Sequence, residues 1–146
     1  NTKESTSYLD DNVYFGLSHY YANANKLKDG KVDKEGMAKA DAAFERILVA
    51  SPTYNEAYLY RARANRLLEK DDVMVQNYQE YVSKISALGE AEVAKPAVKA
   101  KFIEAYNNMA ASFANSDKAK AIELFNRTLA LDPANNYALE SLKLLK

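Results

Sequence analysis

The sequence predicts an all-α protein, an α-solenoid of about three helical hairpins followed by a C-terminal capping helix. A 13-residue frame occurs twice, as ADAAFERILVASP over residues 40–52 and as AIELFNRTLALDP over residues 121–133. Each copy has an alanine, then a phenylalanine four positions on, then a proline eight positions after that. A degenerate copy has Met74, Tyr78 and Ser86 at the same offsets. Recurrence of a helical segment at a regular spacing is typical of repeat proteins.

Apolar residues at helical spacing predict about seven helices and no strand. The polar segment 1–7 is expected to be a frayed lead-in. Gly16 lies inside the first predicted helix, where glycine costs about 1 kcal/mol relative to alanine. We therefore expect a neighbouring helix to approach closely at Gly16. The predicted helices cover residues 8–26, 34–50, 55–69, 71 or 72 to Gly89, 96–114, 116 or 117 to 131, and 133–145.

Capping signals predict where several of these helices begin and end. Asp33 is suited to cap the second helix. Thr53 and Glu56 have the spacing of a capping box, which would start the third helix. Gly89 is predicted to end the fourth helix in a left-handed conformation. Pro96 suits the first turn of the next helix.

Composition narrows the classes of function and the compartment. The 20 basic and 20 acidic residues cancel, so no bulk charge favours nucleic acid or an anionic membrane surface. Cysteine is absent, which excludes disulfides and thiolate metal sites. No apolar run approaches the roughly 20 residues that span a bilayer. Because the sequence starts at Asn1, we expect a processed or excised piece of a longer chain. A periplasmic or envelope setting follows if a signal peptide was removed, and a cytoplasmic setting otherwise.

A search for catalytic chemistry predicts no enzyme, no cofactor and no metal site. Glycine-rich phosphate loops, paired-histidine zinc motifs and serine elbows are absent from the sequence. His19 is the only histidine, and packing at a helix surface is its simpler interpretation. The loop between Asp29 and Asp33 has only two carboxylates and lacks the ligand series of a calcium loop.

A second signature lies on the first helix of each predicted hairpin. A large residue is followed three positions later by an apolar residue, which a small residue follows directly. The copies are Tyr58-x2-Arg61-Ala62-x2-Asn65, Tyr106-x2-Met109-Ala110-x2-Phe113 and, more weakly, Asn12-x2-Phe15-Gly16-x2-His19. This pattern resembles the tetratricopeptide repeat, whose small residues let paired helices approach closely. The resemblance extends from Leu9 to Lys146. The helix YRARAN, residues 60–65, resembles C-terminal arrays of bacterial tetratricopeptide proteins, many of which are exported.

The resemblance divides one domain, residues 1–146, into repeats. Repeat one covers 9–54 with a loop insertion near 26–37, repeat two covers 55–88, an insertion covers 89–101, repeat three covers 102–135, and a capping helix covers 134–146. Arg61 stands where the family usually has leucine, and Met74 stands where a small residue is usual. A plain helical bundle with accidental Ala-x3-Phe spacing is the competing fold.

The family resemblance also implies a binding surface, because the first helix of each hairpin lines the concave groove of such arrays. Arginines there offer forked donors to carboxylates, and tyrosines suit recognition surfaces. The simpler interpretation is that the arginines are solvated or paired with nearby carboxylates and that the tyrosines serve packing. The candidate peptide-binding residues are Tyr14, Tyr20, Tyr60, Arg63, Arg66, Asn107 and Tyr137.

These observations favour a non-enzymatic scaffold that binds a protein or peptide in this groove. Chaperone-binding members of the family resemble one another in a lysine and asparagine clamp for a terminal carboxylate. The matching positions here are Val13, Tyr14 and Leu17, so we expect no such clamp. The alternative is a terminal segment of a longer solenoid that stacks on upstream repeats or forms a homo-oligomer. An accessory domain of an enzyme is a third hypothesis.

Overall fold

The chain folds entirely into helices and turns over the part that the structure describes. The computed structural model describes residues 2–24 and 31–146, with the side chains of the first helix described from Tyr8 onward. No strand occurs in these ranges, as predicted. Eight helices occur there: α1 Thr2–Ala24, α2 Lys34–Ala50, α3 Glu56–Leu67, α4 Asp71–Ser86, α5 Glu90–Val93, α6 Pro96–Phe113, α7 Lys118–Leu131 and α8 Asn136–Leu145.

The first helix begins earlier than predicted. Residues 2–7 are helical, so the expectation of a frayed lead-in is wrong. Lysine and glutamate in this segment are good helix formers, and a helix need not carry an apolar stripe along its whole length. Helix α2 begins at Lys34, as predicted, so residues 34–37 of the predicted loop insertion near 26–37 are helical. Residues 26–30 of that predicted loop lie outside the described residues.

The insertion after α4 contains a helix that the apolar pattern did not predict. The four residues of α5 have Glu90 and Glu92 in their first turn, where acidic side chains favour the helix dipole. Pro96 then opens α6 in an early helical position, as predicted. Gly89 has φ of 106°, a positive value that favours glycine, but its ψ is 168° and it serves as the N-cap of α5. It therefore does not end α4 in the left-handed helical conformation that was predicted, because α4 already ends at Ser86.

Two of the predicted helix starts have a different cap. The N-cap of α3 is Asn55, which makes no side-chain capping bond, so the predicted Thr53–Glu56 capping box is wrong. Glu56 is itself the first residue of α3 and therefore cannot act from the third helical position. The last helix begins at Asn136 rather than Pro133, because the Asn135 side chain accepts a hydrogen bond from the Ala138 N–H at 3.1 Å.

The caps at the starts of α2 and α7 are those that the sequence predicted. The Asp33 carboxylate accepts a hydrogen bond from the Gly36 N–H at 3.1 Å, as predicted for the start of α2. At the start of α7 the Asp117 carboxylate accepts from the Lys120 N–H at 3.0 Å. A short side chain that accepts from the third residue of a helix satisfies one of the backbone donors left over at its start.

The chain forms two compact units, residues 1–77 and 78–146. In unit one, α2 packs against both α1 and α3. The Phe44 ring of α2 is almost fully buried, and a Cβ built on Gly16 of α1 would lie 3.0 Å from its Cζ atom. The close helix approach predicted at Gly16 is therefore confirmed. The core of unit one comprises Tyr20, Met37, Ala40, Phe44, Ile47, Ala57, Ala64 and Leu68.

An ion pair joins α2 to α3 where the family usually has leucine. The Arg61 Nε donates to the Asp41 carboxylate at 2.8 Å, and the buried Asn65 amide donates to the same oxygen at 2.9 Å. Both charged side chains are less than one fifth exposed. The Arg61–Asp41 pair thus links α2 to α3 through hydrogen bonds within a mostly enclosed contact.

Unit two is built on α6, which packs against α7, and on α7, which packs against α8. Its buried residues include Phe102, Met109, Leu124, Phe125 and Leu142. The Tyr78 hydroxyl at the start of this unit donates to the Glu104 carboxylate at 2.9 Å. None of the helices in the described ranges is long and apolar enough to cross a membrane.

Candidate functional site

Three side chains on α1 and α3 form a surface on unit one that we term the aromatic–arginine surface: Tyr21, Tyr60 and Arg63. The hydroxyls of Tyr21 and Tyr60 share a hydrogen bond of 2.8 Å. The Arg63 guanidinium carbon lies 5.2 Å from the centroid of the Tyr60 ring. This distance is that of a cation–π contact between the guanidinium and the ring. The surface joins two helices that are not adjacent in the chain.

Tyr60 is held in place from the core side. Its ring stacks on Phe44 with centroids 5.1 Å apart and an interplanar angle of 14°. The Tyr20 ring contacts it edge-on at 5.4 Å. Offset-stacked and edge-to-face pairs are the preferred arrangements of aromatic rings. The position of Tyr60, and of the arginine above it, is therefore set by packing and exists before any ligand binds.

The environment of Tyr60 keeps its hydroxyl protonated. Burial and, next, the hydrogen bond to Tyr21 together raise the pKa of Tyr60 to about 12, against the opposing charge of Arg63. The negative charge of Glu56 also favours the neutral phenol. The surface thus offers the neutral phenol of Tyr60 beside the cationic guanidinium of Arg63.

The predicted candidates on α1 differ in exposure. Tyr14, two helical turns before Tyr21, is 77% exposed. Tyr20 is only 9% exposed, and its ring lies in the core of unit one. Tyr21, which was not among the predicted residues, is 48% exposed and makes the hydrogen bond to Tyr60. Adjacent residues on a helix point about 100° apart, so the Tyr20–Tyr21 pair indicated that the two rings would lie in different environments.

Arg66 lies in the last turn of α3 and is exposed. It follows Arg63 by three residues, a spacing at which side chains on a helix lie on the same side. The two arginines thus provide two positive charges next to the tyrosine pair.

The two remaining candidates belong to unit two. The Asn107 amide oxygen accepts a hydrogen bond from the buried Thr128 hydroxyl at 2.7 Å, and its nitrogen donates to Asn135 at 3.4 Å. Asn107 therefore links α6 to α7 and to the cap of α8. Tyr137 is 54% exposed and contacts Phe125 edge-on at 5.8 Å.

Unit two also has an open cleft of about 290 Å³ between α4, α6 and α7. Tyr106 and Glu123 raise the pKa of Arg127 there through hydrogen bonds to its guanidinium. Lys120 lies 3.8 Å from the Glu123 carboxylate on the same rim. The negative charge of Glu123 offsets part of the positive charge of Arg127 and Lys120, so the net positive charge of the cleft is smaller than that of the two cations alone. Among the described residues no group of three or more histidine, cysteine, aspartate or glutamate side chains is placed to hold a metal ion.

Comparison with known proteins finds similarity at the level of fold. No protein-family model matches the sequence, and neither does any curated protein. The first tetratricopeptide domain of Spaghetti (RPAP3), solved with the HSP90 peptide SRMEEVD, is similar with a TM-score of 0.61, 20% identity and 90% of each chain covered.

The C-terminal part of a tetratricopeptide protein from Cytophaga hutchinsonii is similar with a TM-score of 0.61 and 24% identity. That comparison covers 97% of this chain and 61% of the other, so this chain spans about three fifths of that structure. The fold of the matched structures agrees with the all-helical architecture of this chain. The chain therefore has a tetratricopeptide-repeat-like fold, an all-α solenoid of helical hairpins.

Proposed function

We propose that this chain is a non-enzymatic scaffold that binds a protein or peptide segment at the aromatic–arginine surface, with Tyr14 and Arg66 at its margins. The observation that carries the proposal is the cation–π contact of Arg63 with the Tyr60 ring. Tyr60 is held in turn by stacking on Phe44 and by a hydrogen bond to Tyr21. Groups fixed in advance lose little conformational entropy when a ligand binds. In the repeat division that we propose, α1–α2, α3–α4 and α6–α7 are the hairpins and α8 is the cap.

The chemistry of the surface favours a segment that carries a carboxylate side chain next to an apolar or aromatic one. Arg63 and Arg66 outweigh the single negative charge of Glu56, so the area has a net positive charge. Charge-assisted hydrogen bonds from guanidinium to carboxylate are roughly twice as strong as neutral ones. The exposed part of Tyr21 and the ring of Tyr14 supply amphipathic contact area of the kind enriched at interfaces.

A randomised peptide library displayed on phage tests this proposal with the purified chain. Selected peptides, labelled with fluorescein, are titrated with wild type and with the Arg63→Glu/Arg66→Glu variant, and binding is followed by fluorescence anisotropy. We expect selection of acidic peptides and a loss of affinity of at least about tenfold in the variant, since charged hydrogen bonds contribute about 1.5–3 kcal/mol each.

The control reverses one charge in unit two, which contributes no residue to the aromatic–arginine surface. Lys118→Glu lies in the first turn of α7, where a negative charge is tolerated, and should leave the affinity unchanged. Circular dichroism confirms that each variant remains folded. Equal binding by wild type and the double-arginine variant would show that the ligand docks elsewhere.

The peptide SRMEEVD provides a second, defined probe, because the similar domain of Spaghetti was solved with it. Val13 and Leu17 are apolar at the positions that match the carboxylate clamp of chaperone-binding relatives, and both pack against the core of unit one. We expect weak binding that does not change when the C-terminal carboxylate of the peptide is amidated. A strong loss of affinity on amidation would mean that this chain holds a terminal carboxylate by other residues.

A further inference from the structure

Tyr21 of α1 and Tyr60 of α3 form a direct contact between two helices that α2 separates in the chain. Their hydroxyl oxygens lie 2.8 Å apart and share a hydrogen bond. Their ring centroids lie 6.2 Å apart, with an interplanar angle of 77°. Two phenols that met end-on through their hydroxyls would keep their centroids farther apart than this. The rings are therefore inclined toward each other, which brings the carbons beside the two hydroxyls closer together than in an end-on pair.

The two tyrosines differ in their access to solvent. Tyr21 is 48% exposed, whereas Tyr60 is partly buried. The Tyr60 ring is held in place by Phe44, on which it stacks with centroids 5.1 Å apart. A reagent in solution therefore reaches Tyr21 more easily, and it finds the Tyr60 ring already fixed beside it.

We propose that Tyr21 and Tyr60 form a modification site, at which hydrogen peroxide and a haem peroxidase join the two rings in a dityrosine cross-link. The peroxidase removes one electron and one proton from the exposed Tyr21, which leaves a phenoxyl radical. Through the shared hydrogen bond, Tyr60 passes a hydrogen atom to the Tyr21 oxygen, so the radical moves to Tyr60 and Tyr21 is restored. A second oxidation of Tyr21 then gives two neighbouring phenoxyl radicals.

The bond between the rings forms by combination of these radicals. Each radical contributes one unpaired electron at a ring carbon next to its oxygen, and the two electrons form one carbon–carbon bond. Each of these carbons then loses its hydrogen as a proton while its oxygen gains one, which restores two phenols. The protein loses two electrons and two protons in total, and these reduce one hydrogen peroxide to two water molecules. The product is a monomer that is lighter by two hydrogen atoms.

The cross-link ties the two ends of a helical three-element arrangement together. It joins residues that are 39 positions apart and encloses the whole of α2 in a covalent loop. A cross-link that closes a loop restricts the unfolded chain and thereby favours the folded one. We expect the linked monomer to unfold at a higher urea concentration than the untreated chain. An unchanged midpoint would show that the link does not hold α1 and α3 in their native contact.

Oxidation of the purified chain tests the proposal. Gel filtration separates monomer from intermolecular products, and mass spectrometry should find monomer that has lost two hydrogen atoms and has dityrosine fluorescence. After digestion with trypsin, the link should join segment 4–26 to segment 47–61. Tyr21→Phe and Tyr60→Phe should each lose this product, because a phenyl ring without a hydroxyl gives no phenoxyl radical. Both variants remove only a hydroxyl, and circular dichroism confirms that they remain folded.

Two further variants exclude other tyrosines. Tyr14 is 77% exposed, so Tyr14→Phe should reduce intermolecular dimers and leave the monomeric link unchanged. The Tyr20 ring lies 5.2 Å from that of Tyr21 and 5.4 Å from that of Tyr60, and it shares a tryptic segment with Tyr21. Tyr20→Phe should therefore retain the link if Tyr21 is the partner.

Three results would overturn the proposal: intermolecular dimers alone, a monomeric link that survives Tyr21→Phe or Tyr60→Phe, or a link that Tyr20→Phe removes. The reaction requires no bound peptide, so its outcome is independent of the peptide experiments.

Discussion

In the repeat division that we propose, helices α1 and α3 occupy the same place, but the outer side of α3 is covered by α2 and that of α1 is largely exposed. At equivalent positions α3 has two alanines, a stacked tyrosine and a paired arginine, whereas on α1 Asp11, Tyr14 and Ser18 are exposed and Phe15 is 41% exposed beside Arg46. The difference shows that helices with similar sequence patterns acquire different roles from their neighbours. The same register position is a packing contact in α3 and a surface in α1.

Helix α2 contacts its two neighbours with different chemistry. Toward α3 it presents Asp41, which receives hydrogen bonds from Arg61 and Asn65. Toward α1 it presents Arg46, whose Nε donates to the Asn12 amide oxygen at 2.8 Å and whose guanidinium carbon lies 6.0 Å from the Phe15 ring centroid. The first contact is mostly enclosed, and the second lies near the surface. The following predictions probe this contrast.

The largest effect is expected for Phe44→Ala, because this side chain serves both helices at once. Its ring lies against Gly16 of α1 and stacks on Tyr60 of α3. Loss of a buried phenylalanine typically lowers the free energy of unfolding by about 3–5 kcal/mol. Phe125→Ala is the counterpart in unit two, with the same burial and a similar expected cost. Urea denaturation followed by circular dichroism measures both, and a change below about 1 kcal/mol would contradict the burial argument.

Asp41→Ala should be the next most costly change, and Phe15→Ala should cost much less. Without Asp41 the guanidinium of Arg61 and the buried Asn65 amide lose their acceptor, for which we expect about 2–3 kcal/mol. Phe15 is 41% exposed, so its removal should cost about 1 kcal/mol or less. The double variant Asp41→Ala/Arg61→Leu should recover much of the lost stability in urea titrations. No recovery would mean that the ion pair does more than replace an apolar contact.

Tyr60→Phe and Tyr14→Phe compare the same register position on the two helices. We expect about 1 kcal/mol of destabilisation for Tyr60→Phe at neutral pH, through loss of the Tyr21 hydrogen bond, and none for the exposed Tyr14. The raised pKa of Tyr60 means that an unfolded chain ionises this phenol first, so its contribution is present below about pH 10 and is lost as the pH rises to about 12. The gap between wild type and Tyr60→Phe should therefore narrow over that range. A gap that stays constant would contradict the raised pKa.

The smallest predicted effect concerns the end of α3. Glu69 has φ of 59°, and the N–H of Lys70 donates to the Asn65 carbonyl at 2.9 Å, as in a Schellman motif. Glycine adopts this conformation without strain, so Glu69→Gly should stabilise unit one by about 0.5–1 kcal/mol. The lost Lys34–Glu69 pair offsets little, because both side chains are more than half exposed. Thermal unfolding at pH 7 measures the change. A lower melting temperature would show that the ion pair contributes more than its exposure suggests.

The sequence predicted the fold well because apolar spacing and caps are local signals. The frame around Phe44 and Phe125 and the caps at Asp33 and Asp117 all have a direct physical basis in neighbouring residues. Its errors fall where two local signals compete or where apolar residues are few. Residues 2–7 form a helix without apolar support, and Asn55 and Asn135 begin helices that Thr53 and Pro133 were expected to start.

The candidate site was harder to predict from the sequence, because the packing of the helices decides which side chains of α1 reach α3. Tyr60 and Arg63 were predicted, but only the structure brings Tyr21 to the Tyr60 hydroxyl and places Tyr20 in the core. Two adjacent tyrosines give no indication of which one faces inward. Asn107 illustrates the same difficulty, since its hydrogen bond to Thr128 joins residues 21 positions apart.

The position of Phe44 has a consequence for how unit one opens. One ring fills the contact with α1 and supports the tyrosine of α3, so neither helix can leave α2 without exposing it. Structural elements that share their most buried contact tend to unfold as a single cooperative group. Amide hydrogen exchange should therefore give the central residues of α1, α2 and α3 a common opening free energy, lowered together by Phe44→Ala.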